Sequence, residues 1–213
     1  MSPARSPYRL CLVTDRPLAG GRPLADIVGA AVAGGVSMVQ LREKSADTRA
    51  FLDEARALKT RLAGTGVPLI INDRVDIALA CGADGVHVGQ SDMPLETVRA
   101  LMPPGAIVGL SITCLDDLAR PDADAADYLG VGPVYLQTVK PDATAPLGVD
   151  GFAAIRSATK KPVMAIGGIL PTNCEPVLAA GADGLAVVTA IMPEPDPEAA
   201  ARRLDALLRA HGK

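Results

Sequence analysis

An α/β fold built as one (β/α)8 barrel, a TIM barrel in a single domain, is what this sequence predicts, on three observations. Short apolar runs of strand length alternate eight times with stretches of helical spacing. A helix–glycine–strand unit recurs in Ala33-Gly-Gly-Val-Ser-Met-Val, Cys81-Gly-Ala-Asp-Gly-Val-His-Val and Ala180-Gly-Ala-Asp-Gly-Leu-Ala-Val, with Asp124-Ala-Ala-Asp-Tyr-Leu-Gly-Val as a glycine-poor relative. No linker or change of composition divides the 213 residues, a length one such barrel fills. The competing arrangement is an open doubly wound sheet. No Gly-x-Gly-x-x-Gly follows the first strand, which removes the usual dinucleotide fingerprint of that fold.

The expected strands are Arg9–Thr14, Met38–Leu41, Leu69–Asn72, Gly85–Val88, Ile107–Leu110, Tyr128–Val131, Val163–Ile166 and Leu185–Val188. Most are continuous apolar runs, the pattern of parallel strands covered on both faces. Between them Ile27/Ala30/Ala31, Phe51/Ala55/Leu58 and Leu204/Leu207/Leu208 recur at three- and four-residue spacing, an apolar stripe on each helix. In the recurring unit a glycine stands where a left-handed residue ends the helix, and a buried strand follows.

Composition excludes several classes of partner. Met1 to Pro7 hold no apolar stretch of their own, and the run from Tyr8 is broken at Asp15, so no signal peptide is expected. Residues 1–7 read as a short tail and 8–213 as the barrel domain of a cytoplasmic protein. No apolar run approaches the roughly 20 residues that cross a bilayer. A net charge of −3 without a basic block argues against nucleic acid. The four cysteines, Cys11, Cys81, Cys114 and Cys174, show no C-x-x-C pairing, and Cys11 and Cys81 sit among apolar neighbours as small hydrophobes. With two His and no Trp, neither a His-based metal centre nor a base-stacking platform is expected.

The chemistry of such barrels lies at the C-terminal ends of the strands. Reading those positions gathers Gln40, Arg42, Glu43 and Lys44 after the second strand, and Asn72, Asp73 and Arg74 at the third. Gln90, Ser91 and Asp92 follow the fourth, Ser111 and Thr113 the fifth, Thr138 and Lys140 the sixth, Gly167-Gly168 the seventh and Thr189 the eighth. Gln40, Arg42 and Lys44 alternate at period two and point one way in extended backbone. A guanidinium fork beside a point cation suits a diphosphate, although a salt bridge to Glu43 or another acid is an equal reading. Asp73 and Asp92 follow neighbouring strands, and two carboxylates beside substrate phosphate oxygens suit Mg2+. Alternatively, Asp73 caps the helix that starts near Val75. The Gly167-Gly168 pair lets bare N–H groups approach a phosphate together with Val188-Thr189, or forms an ordinary tight turn. His87, flanked by Val86 and Val88, reads as a packed, hydrogen-bonded residue, the tyrosines as packing, and His211 as solvated. No Ser-His-acid or Cys-His grouping is present.

Gln40-Leu-Arg-Glu-Lys44, Ile71-Asn-Asp-Arg-Val-Asp76 and Asp84-Gly-Val-His-Val-Gly-Gln90 with Asp92 are followed by Gly132-Pro133, Lys140 and Ile166-Gly-Gly-Ile169. In this order, over almost the whole chain, they resemble the thiamine-phosphate synthase family. The resemblance implies that Gln40, Leu41, Arg42, Glu43, Lys44 and Asn72 hold a hydroxymethylpyrimidine diphosphate, with Ser111 and Lys140 also on that substrate. It assigns Mg2+ to Asp73 and Asp92, and a thiazole phosphate to Gln137, Thr138, Val139, Gly168, Val188 and Thr189. Arg42, Lys44, Lys140 and Ser111 are then the catalytic group. Where the family usually carries Thr-x-Thr-Lys, this chain has Gln137-Thr138-Val139-Lys140, which exchanges two hydroxyls for an amide and an isopropyl group.

The implied reaction transfers the pyrimidinylmethyl group to the thiazole nitrogen and releases diphosphate, giving thiamine monophosphate. Two rivals stand beside it. In thiazole tautomerase relatives a His occupies the place of Pro133 and the Asp motifs are degraded, unlike here. A non-catalytic barrel that binds a phosphorylated metabolite rests on the altered 137–139 loop alone.

Overall fold

The computed structural model describes residues 6–120, 123–137 and 145–213. Eight parallel strands close on themselves in sequence order: β1 (Leu10–Val13), β2 (Met38–Leu41), β3 (Leu69–Asn72), β4 (Gly85–Val88), β5 (Ile107–Ile112), β6 (Tyr128–Val131), β7 (Val163–Ile166) and β8 (Gly184–Val187). The pairing of β8 with β1, Leu10 opposite Leu185, completes the ring and rules out the open sheet. Helices α1 (Leu24–Ala33), α2 (Thr48–Leu62), α3 (Val75–Cys81), α4 (Leu95–Leu101), α5 (Leu115–Leu118), α6 (Gly148–Ser157), α7 (Glu175–Ala179) and α8 (Pro197–Ala210) connect the strands and close the chain.

Strands β2, β3, β4, β6 and β7 keep their expected limits, β1 is shorter at both ends, and β8 begins at Gly184. Strand β5 continues past Leu110, because Ser111 and Ile112 stay in register with Gly130 and Val131. An apolar run stops at the first hydroxyl, but the hydrogen-bonded ladder does not.

Period-two alternation sorts the strand residues into two layers. Cys11, Val13, Met38, Ile70, Tyr128, Met164 and Ala186 point inward and form the barrel's interior cluster. Leu12, Val39, Leu41, Ile71, Val86 and Val88 point outward into the larger core beneath the helices, where Phe51, Ala55 and Leu58 of α2 are fully buried. Complete burial of each large side chain contributes roughly 1.5–3 kcal/mol, so this outer layer dominates the apolar stabilisation.

The recurring Asp of the glycine units has a structural role at the opposite end from the site. Asp84, Asp127 and Asp183 each accept the first strand N–H, or the one after it, of the preceding strand: Leu69, Val108 and Val163 at 2.8, 2.8 and 2.9 Å. Each also pairs with a base, Lys59, Arg99 and Arg156 respectively. In the first unit Ser37 Oγ takes this part, accepting Leu10 N–H at 2.9 Å. These locks tie β1 to β2, β3 to β4, β5 to β6 and β7 to β8 at the end of the barrel away from the site. Gly82, with φ +65°, ends α3 in the left-handed conformation the unit calls for.

Candidate active site

A cavity of about 700 Å3 opens among the loops at the C-terminal ends of the strands, a volume in the range of small-ligand sites. Gln40, Arg42, Lys44, Asn72, Asp73, Asp92, Ser111, Gln137, Gly168, Val188 and Thr189 all line it. The period-two expectation for the first motif therefore holds for Gln40, Arg42 and Lys44. Leu41 and Glu43, expected to grip substrate as well, do not line the cavity. Leu41 is fully buried among the outward-facing core residues. The Glu43 carboxylate turns into its own loop and accepts Lys44, Ser45 and Ala46 N–H. Alternation is the reason: neighbours in extended backbone face opposite ways. Thr138, Val139 and Lys140 lie outside the described residues.

Cations and carboxylates interleave along one side of the mouth. Arg42 reaches Asp15 Oδ2 at 3.3 Å and its N–H donates to Thr14 Oγ1 at 3.1 Å. Lys44 Nζ lies 2.6 Å from Asp73 Oδ2. Asp73 does not cap α3: its side chain goes to Lys44, and Arg74 takes the cap position without a side-chain bond. Its backbone is left-handed at φ +63°, the one described non-glycine residue there, and its N–H donates to the His87 carbonyl at 2.8 Å. A left-handed Asp at a strand end is a local strain consistent with a functional position.

Asp92 accepts Gly89 N–H at 2.7 Å. Burial raises its carboxyl above the ordinary carboxylate range; the Gly89 bond opposes this, and the neighbouring Asp73 carboxylate adds to the rise. An acid raised by burial and by a neighbouring carboxylate marks a place where positive charge would be stabilised. Among the described residues no group of three or more His, Cys, Asp and Glu forms a metal cage. Two carboxylates in an open mouth suit a hard cation that keeps water and takes phosphate oxygens.

Across the mouth, Gly167 and Gly168 have φ +95° and +67°. A Cβ at Gly168 would lie 2.6 Å from the Leu136 carbonyl oxygen, so the turn is closed to any larger residue. Asn173 fixes it, donating to the Gly168 carbonyl at 2.9 Å and accepting Leu170 N–H at 2.8 Å. Tyr135 donates to the Asn173 carbonyl at 2.8 Å, so it braces this turn as well as packing.

Comparison with known proteins agrees with this geometry. The family model for thiamine monophosphate synthase matches residues 10–191. The chain is 54% identical to the thiamine-phosphate synthase of Albidiferax ferrireducens, covering 95% of this chain and 92% of the relative. It is 49% identical to that of Chloroflexus aurantiacus, over 94% and 93%. The chain belongs to the thiamine monophosphate synthase family. A solved thiamine phosphate pyrophosphorylase from Pyrococcus furiosus superposes with a TM-score of 0.86 at 34% identity, over 96% of this chain and 97% of that one. Both named relatives carry the synthase name, in keeping with the transferase class implied by the motifs rather than with either rival.

In this member of the thiamine monophosphate synthase family several site residues escape a motif reading. Thr14, Asp15 and Arg16 follow β1 and hold the next loop: the first two bind Arg42, and Arg16 binds Glu43 at 2.7 Å. Polar residues directly after the apolar Leu10–Val13 run were the available signal. His87 and Tyr128, expected to pack, do so, yet both also line the cavity. His211, expected in solvent, caps α8 through a 3.0 Å contact to the Leu207 carbonyl. No described helix is long and apolar enough to cross a membrane.

Proposed function

We propose that the chain is a cytoplasmic, magnesium-dependent thiamine-phosphate synthase that joins hydroxymethylpyrimidine diphosphate to thiazole phosphate, releasing diphosphate. One observation carries the reading. Arg42, Lys44, Asp73 and Asp92 converge on one side of a cavity whose floor is Val13, Met164, Ile166 and other apolar side chains. A charged leaving group belongs at such a rim and a flat, uncharged ring below it.

Arg42 binds diphosphate oxygens through its fork while Asp15 keeps the guanidinium aimed at the mouth. Lys44 adds a second point charge, and Asn72 and Gln40 offer neutral hydrogen bonds alongside. Asp73 and Asp92 would hold Mg2+, which when bound would supply further positive charge for the departing diphosphate. As the carbon–oxygen bond breaks, negative charge grows on the leaving group, and these fixed cations stabilise it more than they stabilise the intact ester. Comparable donors are each worth about 3 kcal/mol of barrier. The Gly167-Gly168 turn with Val188 and Thr189 anchors the thiazole phosphate on the far wall, so that its ring nitrogen faces the pyrimidine carbon. Ser111 holds the pyrimidine ring, and Lys140 completes the diphosphate grip.

The test is incubation with both substrates and Mg2+. Formation of thiamine monophosphate with one diphosphate per product is the expected outcome. Binding of both compounds without turnover would leave the metabolite-binding rival instead.

A further inference from the structure

Below the charged rim, the cavity wall carries a chain of hydrogen-bonding side chains. His87 Nδ1 lies 2.9 Å from the Tyr128 hydroxyl, and its Nε2 lies 2.9 Å from Ser111 Oγ. His87 is 7% exposed and Tyr128 2%. Glycines on the two neighbouring strands make room for the imidazole. Gly109 stands between His87 and Tyr128 in the strand register, and a Cβ there would lie 2.3 Å from His87 Nδ1 and 2.4 Å from Tyr128 Cζ. Gly130, opposite Ser111, would bring a Cβ to 3.1 Å from His87 Cε1. Such interiors are ordinarily filled by branched apolar side chains. Here two positions are emptied for one ring.

Gln40 lines the cavity beside Tyr128. The inferred relay takes the phenol O–H as the donor to His87 Nδ1. A neutral imidazole that accepts at Nδ1 carries its proton on Nε2 and donates it to Ser111 Oγ. Ser111, an acceptor from His87 in that arrangement, would then turn its own O–H into the cavity.

We propose that His87 is a positioning residue: through Tyr128–His87–Ser111 it fixes the Ser111 hydroxyl as a donor, so that the site selects a heteroaromatic ring presenting an unprotonated nitrogen there. The inference rests on the reading that Ser111 touches the pyrimidine substrate. A ring with N–H at that position meets donor against donor and is refused.

The chain has two histidines, so 15N shifts of the imidazoles in the whole protein are readily assigned, with His87→Asn identifying the His87 set. The Nε2–H form at neutral pH is expected, and the Nδ1–H form would overturn the proposal. Steady-state kinetics with the pyrimidine diphosphate varied give an independent readout. His87→Asn keeps a polar group near Nδ1 but loses the arm to Ser111, and kcat/KM should fall about tenfold, the worth of one oriented hydrogen bond. Ser111→Ala should fall equally, the double variant no further, and His87→Gln, whose amide nitrogen reaches toward the Nε2 place, should recover most of the loss. Wild-type kinetics for Ser111→Ala would remove Ser111 from the substrate and take this proposal with it. An impaired Ser111→Ala beside an unimpaired His87→Asn, or losses that multiply in the double variant, would leave Ser111 in place and overturn the relay alone. If His87→Asn does not fold, Tyr128→Phe serves: loss of the Nε2–H preference with reduced kcat/KM supports the relay, and no change in either refutes it.

Discussion

Replacing Glu43 with Gln should destabilise the protein at neutral pH by an amount that fades with acid. The side chain is 3% exposed and its Oε1 accepts N–H from Lys44, Ser45 and Ala46 at 2.9, 3.0 and 3.3 Å, while Oε2 takes Arg16 Nε at 2.7 Å. Burial alone would raise this carboxyl, but Arg16 and the backbone N–H groups outweigh it and hold it down to about 2. A depressed carboxylate contributes stability that is complete above its unfolded value, near 4.5, and disappears as pH falls through the folded one. The full shift corresponds to about 3 kcal/mol. Arg16 is largely solvated, so screening brings the expected loss in Glu43→Gln to about 1–2 kcal/mol. Urea unfolding of both proteins in steps from pH 7 to pH 3 measures it. The gap should hold to about pH 5 and then narrow. A gap that is independent of pH, or smaller than about 0.5 kcal/mol at pH 7, refutes the assignment of Glu43 as the charged anchor of this loop. Because the same loop aims Arg42 and Lys44, KM for the pyrimidine diphosphate should rise while KM for the thiazole phosphate stays unchanged.

Three further outcomes are expected. Asp92→Ala should abolish magnesium-dependent turnover while circular dichroism and Tm stay near wild type; retained activity would remove Asp92 from the metal site. Gly168→Ala puts a Cβ against the Leu136 carbonyl at a φ of +67°, which costs about 1–3 kcal/mol. Its KM for thiazole phosphate should rise with a lowered Tm, and unchanged values of both would show the turn to be free of that restraint. Val139→Thr restores a hydroxyl and should lower the thiazole phosphate KM; an unaltered KM assigns that anchoring to Thr138 or to backbone.

The barrel was legible because its strands are buried on both faces, so they stand out as apolar runs whatever their partners. The rim residues were legible because polar groups directly after such runs emerge at one end of the ring. The exceptions share a cause. Leu41 and Glu43 were grouped with their neighbours by motif, although alternation turns them away from the cavity. Ser111 was placed after β5, but it lies within the strand, because backbone pairing with Gly130 does not depend on side-chain polarity. The link from His87 to Ser111 and Tyr128 spans three strands and needs the barrel's stagger, which no local pattern records. Gly109 and Gly130 carry a trace of it: glycines inside strands mark places where something else must fit.

The segment from Gln40 to Lys44 illustrates how closely support and chemistry are interleaved. Its even-numbered members face the cavity, and its odd-numbered ones hold the scaffold: Leu41 in the helix-covered core, Glu43 knitting the loop to Arg16. Each cation is thereby flanked by a residue anchored on the other side of the same backbone, which limits the freedom an Arg or Lys would otherwise lose on binding. Asp15 and Asp73 pair with those cations. In the proposed reaction an incoming diphosphate would meet charges already directed at the mouth, and little reorganisation would be needed as the bond to carbon breaks. Preorganisation of this kind depends on two loops, after β1 and after β2, meeting at one level. At the opposite end of the barrel Ser37 Oγ accepts Leu10 N–H and so ties β1 to β2, the two strands that carry those loops.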